Sequence, residues 1–406
     1  MAALILPDAP WRARPELAQL CVVLGGDQGD SRFVGGAVRD TLLGLPVNDI
    51  DIATRLAPTE VLDRLRAAHI KAIPTGIAHG TITALLPGGH VEVTTLRRDI
   101  STDGRHATVA FTDDWREDAA RRDFTINALY ADPSTGEIFD YFGGQDDLAR
   151  HIVRFIGDPL QRIAEDHLRI LRFFRFLARF GDILDVSDTT GLVACTARAN
   201  DLMALSRERI ADELLKLLCA HNAPAVLPVM LANAILLPVL PELQNTARLA
   251  RVAALEGEAG IAPDPIRRLA ALLPDDPKTG EVIGARLKMS IAQRRRLAVA
   301  LDAGVLPPPR ALAYRLGLVG ATDRLLLHGA AETVPALLGQ IVDWEVPRLP
   351  IGGGVLVERG IGRGPDVART LRVIEDQWVE EDFPGEPRFA LIVDAAVDQA
   401  LRSIRK

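Results

Sequence analysis

Polar and apolar positions change rhythm once along the chain, near residue 150. Before that point the pattern is short and mixed. Arg32-Phe-Val34 reads as a strand running into Gly35-Gly36, and Ala37 to Leu43 as a helix that stops at Gly44. Asp49-Ile-Asp-Ile52 alternates polar and apolar residues, the period of a half-buried strand. Pro58 to His69 reads as a helix with Pro58 or Thr59 near its start. Gly80 to Leu86 and His90 to Leu96 read as a hairpin about Pro87-Gly88-Gly89, and the polar stretch Arg97 to His106 as a mobile loop. Beyond residue 150, segments rich in Leu, Ala and Arg predict helices to the end of the chain. Prolines 224, 228, 238 and 241, then 263 to 277, then 307 to 309, read as connections or helix starts. The expectation is a small β-rich head on a long helical body.

A chain of 406 residues is too long for one ordinary core and implies two to four domains. A hydrophobic share of 48% with 25% charged residues is that of a globular protein. No apolar run is long enough to span a bilayer, and Met1 to Pro7 lacks the basic start of a signal peptide. Cys21, Cys195 and Cys219 have no metal-ligand spacing and read as small buried residues in a reducing compartment, so the cytoplasm is expected. A net charge of −7 argues against binding nucleic acid through the whole surface, but a local basic patch suffices for that task.

Candidate chemistry concentrates in a few strings. Residues two apart on a strand share a face, so Asp49 and Asp51 project together while Ile50 and Ile52 turn inward. Paired carboxylates repel unless a cation sits between them, and Mg²⁺ prefers such oxygen ligands. Gly35 and Gly36, between a strand and a helix, allow backbone amides close to phosphate oxygens, and Arg39 in the first helical turn reaches the same place. Each pattern alone is common as a surface strand or a plain turn; together on neighbouring elements they favour nucleotidyl transfer. Glu92 has two open readings, a third metal-side acid or general base, and a solvated edge residue. In Arg121-Arg-Asp-Phe-Thr-Ile-Asn-Ala128, Arg122 suits phosphate, and Asp123 and Asn127 suit sugar hydroxyls; the bland alternative has Asp123 start a helix.

Asp166 and Arg169, three apart, would share one helix face. Spacing alone favours an intrahelical ion pair. Arg162, Arg169, Arg172, Arg175 and Arg179 recur at helical steps with phenylalanines interleaved, which suits phosphate contact or a plain solvated face. Gly364 before Pro365 reads as a helix start able to grip a phosphate, with a plain turn equally open.

The strings GGAVRD, DID, RRDFTINAL, Phe142-Gly-Gly-Gln-Asp-Asp-Leu148, Glu165-Asp-His-Leu-Arg-Ile-Leu-Arg172 and Leu205-Ser-Arg-Glu-Arg-Ile210 occur in an order that resembles the class II (bacterial-type) CCA-adding tRNA nucleotidyltransferase and poly(A) polymerase family. The match runs over roughly residues 30 to 220. The resemblance implies an α+β fold: a nucleotidyltransferase-type β-sheet head at 1–150, then an all-helical neck at 151–222, body at 223–310 and tail at 311–406. It implies Asp49, Asp51 and Glu92 in catalysis, with Mg²⁺ on the two aspartates and CTP and ATP as substrates. Gly35, Gly36, Arg39, Arg122, Asp123 and Asn127 would hold the nucleotide, Asp166 and Arg169 would select the base, and Arg162, Arg172 and Arg175 would touch phosphate or tRNA. The implied partner is tRNA, at its 3′ end and its acceptor and elbow region, with no membrane and no protein partner. Poly(A) polymerase, and enzymes adding only CC or only A, are the alternatives inside the family. Gly76-Ile-Ala-His-Gly-Thr-Ile-Thr83 looks like the tRNA enzymes, and the chain stops without a strongly basic extension. A non-catalytic RNA-binding scaffold is the reading from another class; retention of both aspartates and both glycines argues against it.

Overall fold

The computed structural model describes residues 4–102, 107–182, 189–362 and 364–404. The chain divides into two compact units, Met1–Pro241 and Glu242–Lys406.

The first unit opens with α1 (Pro15–Val23) and β1 (Ser31–Val34), followed by α2 (Gly36–Leu42) and β2 (Ile50–Thr54). Next come α3 (Pro58–Ala67), β3 (Lys71–Gly76), β4 (Thr81–Leu86) and β5 (Gly89–Thr95). The expected hairpin is β4–β5, with Leu86 opposite Gly89. A seven-stranded sheet forms in the order β3-β4-β5-β2-β1-β8-β9, after β8 (Leu129–Ala131) and β9 (Ile138–Asp140) have joined β1. Among the described residues, only β2 and β5 pair in parallel. Ile50 and Ile52 are buried, as the alternation requires. One strand carries no sequence signal, and one local reading is corrected. β3 carries Pro74 and gives no alternating signal; as the outermost strand it has one ladder, where a missing N–H is tolerated, and the register shifts between Ile73 and Gly76. The expected mobile loop instead begins with β6 (Arg97–Thr102), which pairs with β7 (Ala107–Phe111) in a two-stranded ribbon. Residues 103–106, the rest of that expectation, lie outside the described residues.

From α4 (Trp115–Ala120) the chain enters the RRDFTINA string, then α5 (Gly144–Ala149) and α6 (Pro159–Glu165). The Asp114 and Asp158 side chains cap α4 and α6. The helices α7 (Arg169–Phe180), α8 (Thr190–Ala197), α9 (Arg207–Leu218) and α10 (Ala223–Ala232) complete the unit. Pro228 lies inside α10 rather than at a connection. The Phe124 ring meets Phe155, Phe173 and Phe176 with centroids 4.8, 6.3 and 5.3 Å away. This aromatic cluster seats α7 on the sheet domain and brings its arginine face to the strand ends.

The second unit is helical: α11 (Thr246–Glu258), α12 (Pro265–Leu272), α13 (Pro277–Arg286), α14 (Ile291–Ala300) and α15 (Pro309–His328). It ends with α16 (Val334–Gly339), α17 (Gly353–Glu358), α18 (Pro365–Glu380) and α19 (Arg388–Ile404). Prolines 265, 277, 309 and 365 each stand in the first turn of their helix, where a missing N–H costs nothing. Gly364 is the N-cap of α18 at φ 102°, and its neighbour Arg363 lies outside the described residues.

Candidate active site

The first unit encloses a cavity of about 590 Å³ where β1, β2 and the RRDFTINA segment face α7. Seven arginines and five aspartates line it, an excess of two positive charges in a chain whose formal net charge is −7. That local reversal fits a polyanionic ligand.

Asp49 is exposed just before β2, and Asp51, half-buried on the strand, stands beside it on the cavity wall. Asp51 pairs in register with Glu92 on β5. Burial, and after it the Glu92 charge, push the Asp51 carboxyl up to about 6, although Arg122 pulls the other way. Glu92 is not an edge residue, because β5 lies inside the sheet. It lies outside the main cavity and lines a smaller one with Asp49, Asp51 and His90.

Gly35 takes φ 70° and ψ −122°, a conformation that favours glycine, at the N-cap of α2. Its own amide is committed to Leu129 O at 3.0 Å, so the amides left facing the cavity belong to the first turn of α2, which no described side chain caps. Arg39 is braced rather than extended. Its guanidinium bonds Asp40 at 2.8 Å and the Asn127 carbonyl, and stacks over Phe180 and Phe176. Asp123 does not cap a helix. Its buried carboxylate accepts from Phe124 N, Asn127 Nδ2 and Arg172 Nε at 2.9, 2.9 and 2.7 Å. These partners hold it below the usual carboxylate range despite burial, with Arg172 the strongest.

The pair expected on one helix face is arranged differently. Asp166 sits in extended conformation at the end of α6, and Arg169 begins α7, so the two straddle a break. The Arg169 backbone N–H donates to the Asp166 carbonyl at 3.0 Å, but their side chains take other partners. Asp166 accepts from Arg209 Nη2 at 2.8 Å and 3.2 Å and from Leu168 N at 3.1 Å. Arg169 donates to Glu165 at 2.5 Å, to Arg162 O at 2.9 Å and to Arg121 O at 3.0 Å. An arginine has five donors, so among the described residues Arg169 keeps its Nε–H and one Nη2–H for a ligand. Both residues line the cavity.

Arg172 pairs with Asp123 at 2.6 Å, and Arg175 with Glu213 at 2.6 Å, both on the cavity wall. Arg162 pairs with Glu165 at 3.0 Å and lies outside the lining. Arg179, the last of the arginines at helical steps, also lines the cavity, as do Arg121 and Asp40, to which sequence assigned no separate role; Asp40 bonds Arg179 at 2.9 Å. Arg209 was visible in the LSRERI string, but its partner is 43 residues away and spacing does not reveal it.

Comparison with known proteins adds the decisive observation. The family model described as "Poly A polymerase head domain" matches residues 31–154, and "Probable RNA and SrmB- binding site of polymerase A" matches 190–246. The Homo sapiens CCA tRNA nucleotidyltransferase 1, mitochondrial, is 34% identical over 371 residues, 87% of this chain and 84% of that one. This chain belongs to the CCA tRNA nucleotidyltransferase family. The Oceanobacillus iheyensis CCA-adding enzyme is 46% identical over 187 residues, 46% of this chain and 45% of its own. The Bacillus stearothermophilus CCA-adding enzyme solved in complex with CTP has a TM-score of 0.74 at 27% identity and covers 96% of this chain and 100% of that one. The α+β expectation and the resemblance therefore hold, and the chain is an enzyme of this family. No helix among the described residues is long and apolar enough to cross a membrane.

Among the described residues, no three His, Cys, Asp or Glu side chains form a ready-made metal cage. The donor set nevertheless fits Mg²⁺, which keeps several waters and uses one or two carboxylates together with substrate phosphates. The repulsion that raises Asp51 beside Glu92 and Asp49 is what a cation there would relieve. In this tRNA nucleotidyltransferase the Arg172–Asp123 pair also ties α7 to the sheet domain. Arg172→Ala is expected to lower stability by about 1.5–3 kcal/mol, the usual worth of a hydrogen-bonded charged group. Urea unfolding of the full chain measures it, and an unchanged midpoint would show that the pair is not a brace.

Proposed function

We propose that this chain builds or repairs the 3′-terminal CCA of tRNA from CTP and ATP without a nucleic-acid template, releasing pyrophosphate. The observation that carries the reading is the convergence in one cavity of Asp49 and Asp51, the cationic wall, and the Asp166 and Arg169 pair. The reaction is in-line attack of the tRNA 3′-hydroxyl on the α-phosphorus. Arg122 and the first turn of α2 hold the triphosphate, with Arg39 bracing Asn127 from beneath. Asp123, fixed by Arg172 and Asn127, and Asn127 itself receive the ribose. Asp49 and Asp51 would hold Mg²⁺, with Glu92 beside them. Bound there, Mg²⁺ would lower the pKa of the attacking hydroxyl and balance charge on the leaving pyrophosphate.

Base choice follows from hydrogen-bond order. Cytosine and adenine each offer an amino donor beside a ring acceptor, which suits Asp166 accepting and Arg169 donating. Guanine and uracil present a carbonyl beside a ring N–H, so donors meet donors and acceptors meet acceptors. We assign 1–150 to chemistry, 151–222 to base selection, and 223–310 and 311–406 to body and tail, with the α18 start at Gly364 as a contact for tRNA phosphate. The buried thiols of Cys21 and Cys195 support a reducing compartment, the cytoplasm in our reading.

The test supplies Mg²⁺ and a tRNA ending at the nucleotide before CCA, with each nucleoside triphosphate singly and then CTP with ATP. The expected product gains C, C and A in order, with GTP and UTP ignored. Long A tails from ATP alone identify a poly(A) polymerase, CC without A a partial enzyme, and no incorporation a binding scaffold.

A further inference from the structure

Beneath the RRDFTINA string lies a carboxylate that none of the roles above uses. Asp118 on α4 is 1% exposed, yet five donor contacts converge on it. Its Oδ1 accepts from Arg121 Nε at 2.8 Å and from the Arg97 backbone N–H at 3.2 Å, and lies 2.8 Å from Arg121 Nη2 in an ion pair. Its Oδ2 accepts from the Tyr130 hydroxyl at 2.7 Å and from Arg122 Nη2 at 3.2 Å. The same hydroxyl accepts from Arg122 Nε at 3.2 Å, so Tyr130 closes the network.

Both arginines reach the ligand cavity while remaining tied to this buried anchor. Arg122 lies against the glycine turn, where a Cβ added at Gly35 would stand 3.5 Å from its Nη1. Arg121 turns its carbonyl to Arg169 Nη2 at 3.0 Å, at the base-selecting end. A free arginine loses much rotamer freedom when it grips a phosphate, and one held in place beforehand loses little. Burial pushes the Asp118 carboxyl up, but Arg122, Arg121 and Tyr130 outweigh it and hold the group at about 2, so it stays an anion in the working range.

We propose that Asp118 is a positioning residue for nucleotide binding, fixing the guanidinium groups of Arg121 and Arg122 against the triphosphate. The proposal rests on the tRNA nucleotidyltransferase reading of the cavity. A residue that prepositions ground-state contacts affects KM before kcat, because those contacts persist from substrate to transition state.

The experiment is steady-state addition by the full chain carrying Asp118→Asn, which keeps the shape and removes the charge. The KM for CTP and for ATP should each rise about tenfold, with kcat within about threefold and the KM for tRNA unchanged. The inhibition constant for pyrophosphate should rise by the same factor as the nucleotide KM. Parental KM values in a variant that melts like the parent, or a fall in kcat with KM unchanged, overturn the proposal. If Asp118→Asn does not fold, Tyr130→Phe carries the test. It removes the hydroxyl shared by Asp118 and Arg122, and a KM rise of about threefold is expected, whereas a parental KM overturns the proposal. A parent protein that adds no nucleotide defeats the underlying functional reading instead, and calorimetric CTP binding by parent and variant then decides the role of Asp118.

Discussion

Asp51→Ala is expected to lower single-turnover addition to a tRNA lacking CCA by about a thousandfold or more while leaving the fold intact. The charge stabilisation at stake is several kcal/mol, and each ~1.4 kcal/mol is a factor of ten in rate. Asp49→Ala should behave alike, since both carboxylates face the same cavity wall. Stability separates loss of chemistry from loss of fold. The folded Asp51 carboxyl lies at about 6, raised first by burial and then by Glu92. An acid whose folded pKa exceeds its unfolded value of about 4 weakens folding once the pH passes upward through that interval. In Mg²⁺-free buffer near pH 8, Asp51→Ala should therefore melt no lower than the parent, and any gain should fade as the pH falls below about 4. A variant that melts well below the parent at pH 8 would make Asp51 a structural residue. Near-parental addition rates would remove it from the chemistry.

The parts of this site that local pattern could reveal were those built from adjacent residues. Gly35 before α2 and the alternation across Ile50 to Ile52 are consequences of backbone geometry, and both are readable in a few residues. The parts that stayed hidden depend on distant partners. Glu165-Asp-His-Leu-Arg169 contains neither Gly nor Pro and reads as continuous helix, yet the chain breaks at Asp166. There the carboxylate takes Arg209 as a partner and the Leu168 amide as a cap, a tertiary choice that spacing does not encode. The β6–β7 ribbon was missed because it stands outside the main sheet and its polar residues give no alternating signal. Asp118 lay within helical reach of Arg121 and Arg122, three and four positions away, but only burial distinguishes it from a surface ion pair.

The second large effect concerns base choice and tests the broken-helix geometry directly. Asp166→Asn replaces an acceptor-only group by an amide that offers a donor as well. Efficiency with CTP and ATP should fall about ten- to a hundredfold, the worth of one charged hydrogen bond of about 1.5–3 kcal/mol. Use of UTP and GTP should rise relative to it, because the new N–H can meet their carbonyl. Arg169→Ala should also lower efficiency with CTP and ATP, but without favouring UTP or GTP, since it removes donors and adds none. The intrahelical ion-pair reading predicts something else: with Asp166 and Arg169 serving only each other, either change would shift stability and leave nucleotide preference untouched. The structure already removes that pairing, since Asp166 is held by Arg209 and Arg169 by Glu165. Each partner leaves room for a ligand, because a carboxylate has about four lone-pair positions and Asp166 accepts three hydrogen bonds, two of them from one Arg209 nitrogen. Kinetics with the four triphosphates supplied singly measure the ratio. An unchanged preference in Asp166→Asn, with addition still occurring, would move base selection elsewhere in the cavity. A reversed preference would show that one carboxylate, held at a helix break by an arginine from α9, serves in place of a template.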